Sequence, residues 1–310
     1  MIKLYKGDCL IESDKIESGS VDLILTDLPY GTVNGLGGDI KKYKRLSNSD
    51  WDNVIDTNKI MQLSNRILRK NGKMVLTANQ PFTTELISKA IPNLQHCYNM
   101  YWDKMHFANC LVSKKAPVSY IEDVLVFSKR YDFEGLHPLR DYFKKLLDFI
   151  GLKKKYIISK IGQMADHCFR VNSSQFELCK KHTYLNLIKE FSINNMQGFL
   201  NYDELELINK KYESTFNLWE GNKYKSNILK YKKDYTGHHP TQKPILLLED
   251  LIKTFSNEND LVVDFTMGSG STGVACENTK RNFIGIEQDE TYFKIAEKRI
   301  RETKQQTRIF

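Results

Sequence analysis

The chain has 310 residues, 41% hydrophobic and 27% charged, with a formal net charge of +8. Such a mixture makes a globular protein long enough for two domains. Its longest apolar runs, Val21–Leu25 and the stretch around Leu261–Val263, fall short of the roughly 18 residues a membrane span needs, so no transmembrane helix is expected. The opening MIKLYKGDCL lacks a basic-then-apolar secretory pattern, which points to the cytosol. The six cysteines are scattered and form no C-x-x-C pair. His96, Cys97, His106 and Cys110 lie close in sequence but fit no metal-ligand spacing, so free thiols and no metal are expected.

In chain order, residues 1–135 alternate short β-rich runs (VDLILTD, KMVLTA, DVLVFSK) with helical stretches (NKIMQLSNRILRK, PFTTELISKAI). That alternation predicts βαβ units and a parallel sheet. Asn71-Gly72 is placed to end the first helix. Residues 136–236 are rich in Lys, Tyr and Asn and poor in strand signals. There DYFKKLLDFIGLKKKYIISKIG reads as a helix, a glycine turn and a second helix, with TYLNLIKEF as a later one, similar to a helix-turn-helix bundle. This segment carries +7 of the net charge, and the other 209 residues carry +1. Such a segment suits a polyanion such as nucleic acid, or it is a solvated helical surface. Residues 237–310 return to the first style with the helix PILLLEDLIKTF, the strand LVVDF, a glycine-rich turn, a helix, the strand NFIGIE and the helix TYFKIAEKRI. The two ends read as halves of one α/β sheet around the middle segment.

Three motifs carry chemistry. Asp27-Leu28-Pro29-Tyr30 directly follows an apolar strand, at the edge where α/β proteins build sites. An aromatic amine is a poor nucleophile because its lone pair is delocalised into the ring. Asp27 can accept one of its N–H bonds and the Leu28 carbonyl the other, localising that pair. Tyr30 can stack on a base that has left its duplex. The bland alternative is an ordinary Asp-x-Pro turn. The second motif, Asp264-Phe265-Thr266-Met267-Gly268-Ser269-Gly270, runs from strand to helix, with Glu287 closing the next strand. Gly268, Gly270 and Gly273 formally match a dinucleotide fingerprint, but too little chain follows for the remaining βα units of such a domain. The third, His239-Pro240-Thr241-Gln242-Lys243-Pro244, fixes an ammonium near the glycine strand, where it could pair with an amino-acid carboxylate. Alone, it would be a helix-initiating turn.

Together, DLPY, HPTQKP and DFTMGSGST resemble the signatures of the DNA amino-methyltransferases, in the permuted order of the β group. Gly7-Asp8-Cys9, Trp102-Asp103-Lys104 and Glu122–Phe127 add to the likeness. Leu28 stands where the family has proline, and Thr266-Met267 where it more often has a proline-aromatic-Ala run. The resemblance implies a doubly wound, Rossmann-like α/β methyltransferase with a catalytic half at 1–135, a mainly helical target-recognition insert at 136–236 and a cofactor half at 237–310. It implies that Asp27, Leu28, Pro29 and Tyr30 are catalytic. Asp8, Lys243, Asp264, Phe265, Gly268, Gly270 and Glu287 would surround S-adenosylmethionine. Lys41, Lys42, Lys44, Arg45, Lys153, Lys154, Lys155, Lys180 and Lys181 would meet the phosphates of double-stranded DNA. A monomer or homodimer in a bacterial or phage-infected cytoplasm, beside a cognate restriction nuclease, completes the expectation. Asp27 favours adenine N6, since the family more often uses Ser there for cytosine N4. The rivals are methylation of cytosine, RNA or a glutamine side chain, and a catalytically dead DNA-binding protein of the same fold.

Overall fold

The computed structural model of the chain describes residues 1–30, 55–108, 113–114, 117–234 and 242–307. It divides into two units: Met1–Leu68, Gly72–Lys129 and Thr215–Phe310 form the first, and Arg69–Asn71 with Arg130–Ser214 form the second.

The first unit is built on eight strands: β1 Ile2–Lys6, β2 Val21–Thr26, β3 Leu68–Ala78, β4 Leu94–Ala108, β5 Ser119–Lys129, β6 Ile228–Lys230, β7 Leu261–Asp264 and β8 Asn282–Glu287. They lie in the order β1-β8-β7-β2-β3-β5-β4-β6. Strands β1, β8, β7, β2 and β3 run parallel, as the βαβ pattern predicts. The long hairpin of β4 and β5 then enters antiparallel to β3, and the short β6 covers the edge of β4.

Strand β2 shows why the sheet is central. Its near-continuous apolar run buries both faces, the mark of a strand covered on each side. Ile24 points into one core with Ile60, Met61 and Ile67 of α2 (Thr57–Ile67) and Phe82 and Leu86 of α3 (Phe82–Ser88). Leu23 and Leu25 point into the other, following the two-residue side-chain period. That second core holds Leu247, Leu251 and Phe255, Val274 and Ala275, and Ala296 and Ile300, and these come from three C-terminal helices. The fold is therefore doubly wound. Its chain path turns outward in both directions from the β7–β2 pair, and the C-terminal edge at such a switch point is where α/β sheets bind ligands.

The first long helix ends at Ile67, before Asn71-Gly72 is reached, because the buried Leu68 already pairs with Val21 in β2. Asn71, at φ 66°, instead marks the place where the β2–β3 register shifts.

The second unit holds α4 (Leu139–Ile150), α5 (Lys154–Ile161), α6 (Lys181–Phe191) and α7 (Tyr202–Lys210) with short 3-10 turns. Gly151, at φ 66°, closes α4 in the left-handed conformation that helix C-termini favour. The amphipathic faces of α4 and α6 meet over Phe143, Leu146, Tyr184 and Leu187 in a core of the unit's own. Arg140 and Asp132, both buried, pair at 2.9 Å beneath it.

The helical unit ends at Ser214, whereas composition set the boundary at 236. The intervening chain belongs with the sheet because three of its side chains converge on the buried Asp250 of α8 (Ile245–Phe255). Trp219 donates to it at 2.9 Å, Tyr231 at 2.9 Å and Lys225 at 2.5 Å. Among the described residues no helix is long and apolar enough to cross a membrane, and no group of three or more His, Cys, Asp or Glu could hold a metal ion.

Candidate active site

Asp27 leaves the C-terminal end of β2 with both carboxylate oxygens engaged. Its Oδ1 accepts from Tyr30 at 2.6 Å and from Thr77, at the end of β3, at 2.5 Å. Lys243 Nζ pairs with Oδ2 at 2.5 Å and reaches Glu122 on β5 at 3.0 Å. Glu122 also pairs with Lys104 at 3.5 Å and lies 3.4 Å from the Tyr30 hydroxyl. Burial pushes the Tyr30 phenol well above its ordinary value, and Asp27 and Glu122 push it the same way. Burial alone disfavours the charge on Lys243, but the charges of Asp27 and Glu122 outweigh it and hold the ammonium above the ordinary lysine range. The sequence placed Lys243 beside a cofactor carboxylate. Its ammonium is committed instead to Asp27 and Glu122. Leu28 is 3% exposed and anchors the turn in the core, while the Tyr30 ring tilts against Phe82 with centroids 5.4 Å apart.

The glycine turn lies beside this cluster, since Thr266 Oγ1 donates to the Asp27 carbonyl at 2.9 Å. Asp264 faces inward. Thr26 at 2.7 Å and the Thr266 amide at 3.1 Å serve one of its oxygens, and Thr272 at 2.6 Å serves the other. Burial raises its carboxyl to about 6 against those bonds. Asp264 thus organises the turn, and Phe265, 1% exposed, is core beneath it. Neither presents an open surface to a ligand. Gly270, at φ 81°, is required for packing, since a Cβ there would come within 2.8 Å of Ala296 Cβ on α10 (Glu290–Thr307). The turn is also held from α10 by Arg299, which donates to the Ser269 carbonyl at 2.6 Å.

Glu287, at the end of β8, is the acid of the turn. It accepts from the Gly268 amide at 2.9 Å and the Asp289 amide at 2.7 Å, and burial raises its carboxyl. Its own carbonyl accepts from Gly7 at 3.0 Å, which brings in Asp8, an exposed carboxylate that caps α1 (Cys9–Glu12) through Leu10. Asp8, Gly268 and Glu287 thus meet at one sheet edge. Each carboxylate there uses only part of its acceptor capacity, and the site fits the hydroxyls of a ribose. A carboxylate-rich edge also suits a cation.

Of the phosphate-contact candidates, Lys41, Lys42, Lys44 and Arg45 lie outside the described residues, as do His239, Pro240 and Thr241. In the helical unit Lys153, Lys155 and Lys180 are exposed. Lys154 and Lys181 instead pair within the unit, with Asp166 and Asp203, each at 2.8 Å. Sequence reasoning did not single out Thr77, Glu122 or Arg299. For Thr77 and Glu122 the available signal was position, since each lies near the end of a strand beside β2 or β3.

The switch-point edge, the acid-closed glycine turn and an acceptor cluster at the adjoining strand define an α/β methyltransferase. Residues 21–298 match the family model of the DNA methylases. The chain is 25% identical over 300 residues to the DNA adenine methyltransferase YhdJ of Escherichia coli (strain K12), covering 96% of this chain and 82% of that one. Among solved structures, the M1.HpyAVI–SAM complex is similar with a TM-score of 0.55 at 20% identity, over 97% of this chain and 99% of that one. The cytosine-N4-specific PvuII DNA methyltransferase gives 0.52 at 14% identity, over 98% and 92%. The chain belongs to the DNA methylase family, the amino-methyltransferases of adenine N6 or cytosine N4, and its fold is that of the S-adenosylmethionine-dependent methyltransferases.

Proposed function

We propose that the chain methylates N6 of adenine in duplex DNA with S-adenosylmethionine as donor. The observation that carries this reading is Asp27, a carboxylate fixed by Tyr30, Thr77 and Lys243 and joined through Thr266 to the glycine turn. Oδ2 has one protein donor, Lys243, and so keeps acceptor capacity for one N–H of the target amine. The Leu28 carbonyl takes the other N–H, and the lone pair is directed at the incoming methyl. When bound, the cofactor supplies that methyl as an electrophile. Asp8 and Glu287 would hold its ribose, and the Gly268 backbone would permit its approach. The proton released from the methylated nitrogen is accepted at Asp27.

Flipping the base costs a few kcal/mol, and stacking on the Tyr30 ring returns about 1–3 kcal/mol. The helical unit, through Lys153, Lys155 and Lys180, supplies phosphate contacts and target recognition. Asp27 as a carboxylate can only accept, which suits the two N–H donors of adenine N6. A Ser hydroxyl could also donate towards a cytosine ring. Digestion of methylated DNA to nucleosides and mass spectrometry tests the reading. N6-methyladenine is the expected product, and N4-methylcytosine as the sole product would refute it.

A further inference from the structure

Glu122 is a second carboxylate in the site, 6% exposed, on a strand that supplies neither the catalytic turn nor the glycine turn. It gathers three groups: Lys243 at 3.0 Å, Lys104 at 3.5 Å and the Tyr30 hydroxyl at 3.4 Å. Lys104 is itself 3% exposed and lies over the Trp102 ring at 5.8 Å, so its ammonium has little water to screen it. Two ammoniums and two carboxylates, Asp27 and Glu122, therefore share one small volume, in which Asp27 is partly exposed and the other three are buried or nearly so. Lys233 lies further out, where burial and then Lys104 disfavour its charge.

A burial-starved ammonium is expensive without a partner, so the plain role of Glu122 is to neutralise the lysines. The reaction gives that neutralisation a second consequence. A methyl donor of the sulfonium type carries a fixed positive charge, whereas its thioether product is neutral. In-line transfer requires the amine held by Asp27 and the sulfonium to lie on opposite sides of one methyl group. The donor's charge must therefore sit close to the lysine pair.

We propose that Glu122 is a positioning residue that balances the charge of Lys243 and Lys104, leaving Asp27 free to accept the target amine and letting the site admit a sulfonium. The inference rests on the S-adenosylmethionine reading above. Without the Glu122 charge, the ammonium of Lys243 falls wholly on Asp27 and the site gains one positive charge. The sulfonium is repelled and the neutral thioether is not.

The experiment is calorimetric titration of the full chain with S-adenosylmethionine and, separately, S-adenosylhomocysteine. In Glu122→Gln the Kd of the first should rise about tenfold, the scale of one charge about 10–12 Å away at an effective dielectric near 20, while that of the second changes less than about twofold. Glu122→Asp should restore the wild-type ratio of the two constants. Lys104→Gln should shift the ratio in the opposite direction, and the double variant Glu122→Gln/Lys104→Gln should return it to the wild-type value. A purely structural role would weaken both ligands alike, so equal losses in Glu122→Gln overturn the proposal. Should Glu122→Gln fail to fold, an unchanged ratio in Lys104→Gln overturns it on its own. A wild-type chain that binds neither ligand would instead remove the donor reading.

Discussion

Replacing Lys243 with Met separates two roles for this lysine, as the partner of a cofactor carboxylate or as the counter-ion of Asp27. The side chain is 10% exposed and faces Asp27 and Glu122. Removing one member of a buried ion pair costs about 3–5 kcal/mol. At about 2–4 °C of Tm per kcal/mol for a chain of this order, Tm should fall by about 10 °C. Asp27 would then lose its lysine partner, while Glu122 keeps Lys104 at 3.5 Å. In the wild type the ammonium is held above the ordinary lysine range. Its stabilisation is complete below that range and is lost only as pH rises through the raised value, so it persists across neutral pH. Methyl transfer at saturating cofactor should fall about a hundredfold, while the S-adenosylmethionine Kd should fall, as in Lys104→Gln, because the site loses one positive charge, and the S-adenosylhomocysteine Kd should move less than about threefold. Stopped-flow or radiolabel kinetics beside calorimetry measure both. A rise in cofactor Kd of about tenfold or more with kcat intact would refute the geometry and return the ammonium to the cofactor carboxylate.

Asp27→Ala should lower kcat by about a hundred- to ten-thousandfold while sparing binding of the neutral S-adenosylhomocysteine, because the carboxylate is assigned to the amine and to Lys243 and not to the cofactor; loss of S-adenosylhomocysteine binding in a folded variant would contradict that assignment. Asp264→Asn tests the buried acid of the turn. Its folded value is raised to about 6, so its stabilisation is complete below the ordinary carboxyl value and is lost as pH rises through about 6. The unionisable variant should therefore gain about 3 kcal/mol relative to wild type between about pH 4 and pH 7 in denaturant titrations, and a constant difference would show the acid to be unperturbed. Replacing Lys153, Lys155 and Lys180 together by Ala should weaken DNA binding and reduce its salt slope by up to about three, whereas unchanged binding would place the phosphate contacts elsewhere.

What the sequence made legible was local. The strand before Asp27, the strand-to-helix glycine turn and three of the insert's helices, α4, α5 and α6, are each written in contiguous patterns, whereas α7 was not read from the sequence. So is the glycine turn after α4, where Gly151 takes the left-handed conformation. What it hid was set through space. Lys243 and Asp27 are 216 residues apart in the chain, and a motif that fixes a lysine near a strand cannot say which anion it meets. Glu122 was visible only as part of a strand because β5 becomes a neighbour of the Asp27 turn once the hairpin pairs antiparallel to β3. The early end of the first helix had a similar cause, since the pairing of Leu68 with Val21 overrode a local stop signal four residues on. Gly270 looked like a cofactor glycine, yet its immediate constraint is the α10 helix beside it.

The junction at Asp250 bears on how such a protein could change its target. Chain leaving the helical unit at Ser214 is fastened by Trp219, Lys225 and Tyr231 to one buried carboxylate before it reaches Lys243. With the chain fixed at Asp250, insertions, deletions or wholesale replacement between Arg130 and Ser214 should leave the placement of Lys243 unchanged. If the helical unit reads the target as proposed, a lineage would acquire a new recognition sequence by exchanging that block while inheriting its chemistry unchanged. A chimera that keeps residues 215–231 should retain its methylation machinery where one cut at 236 would not.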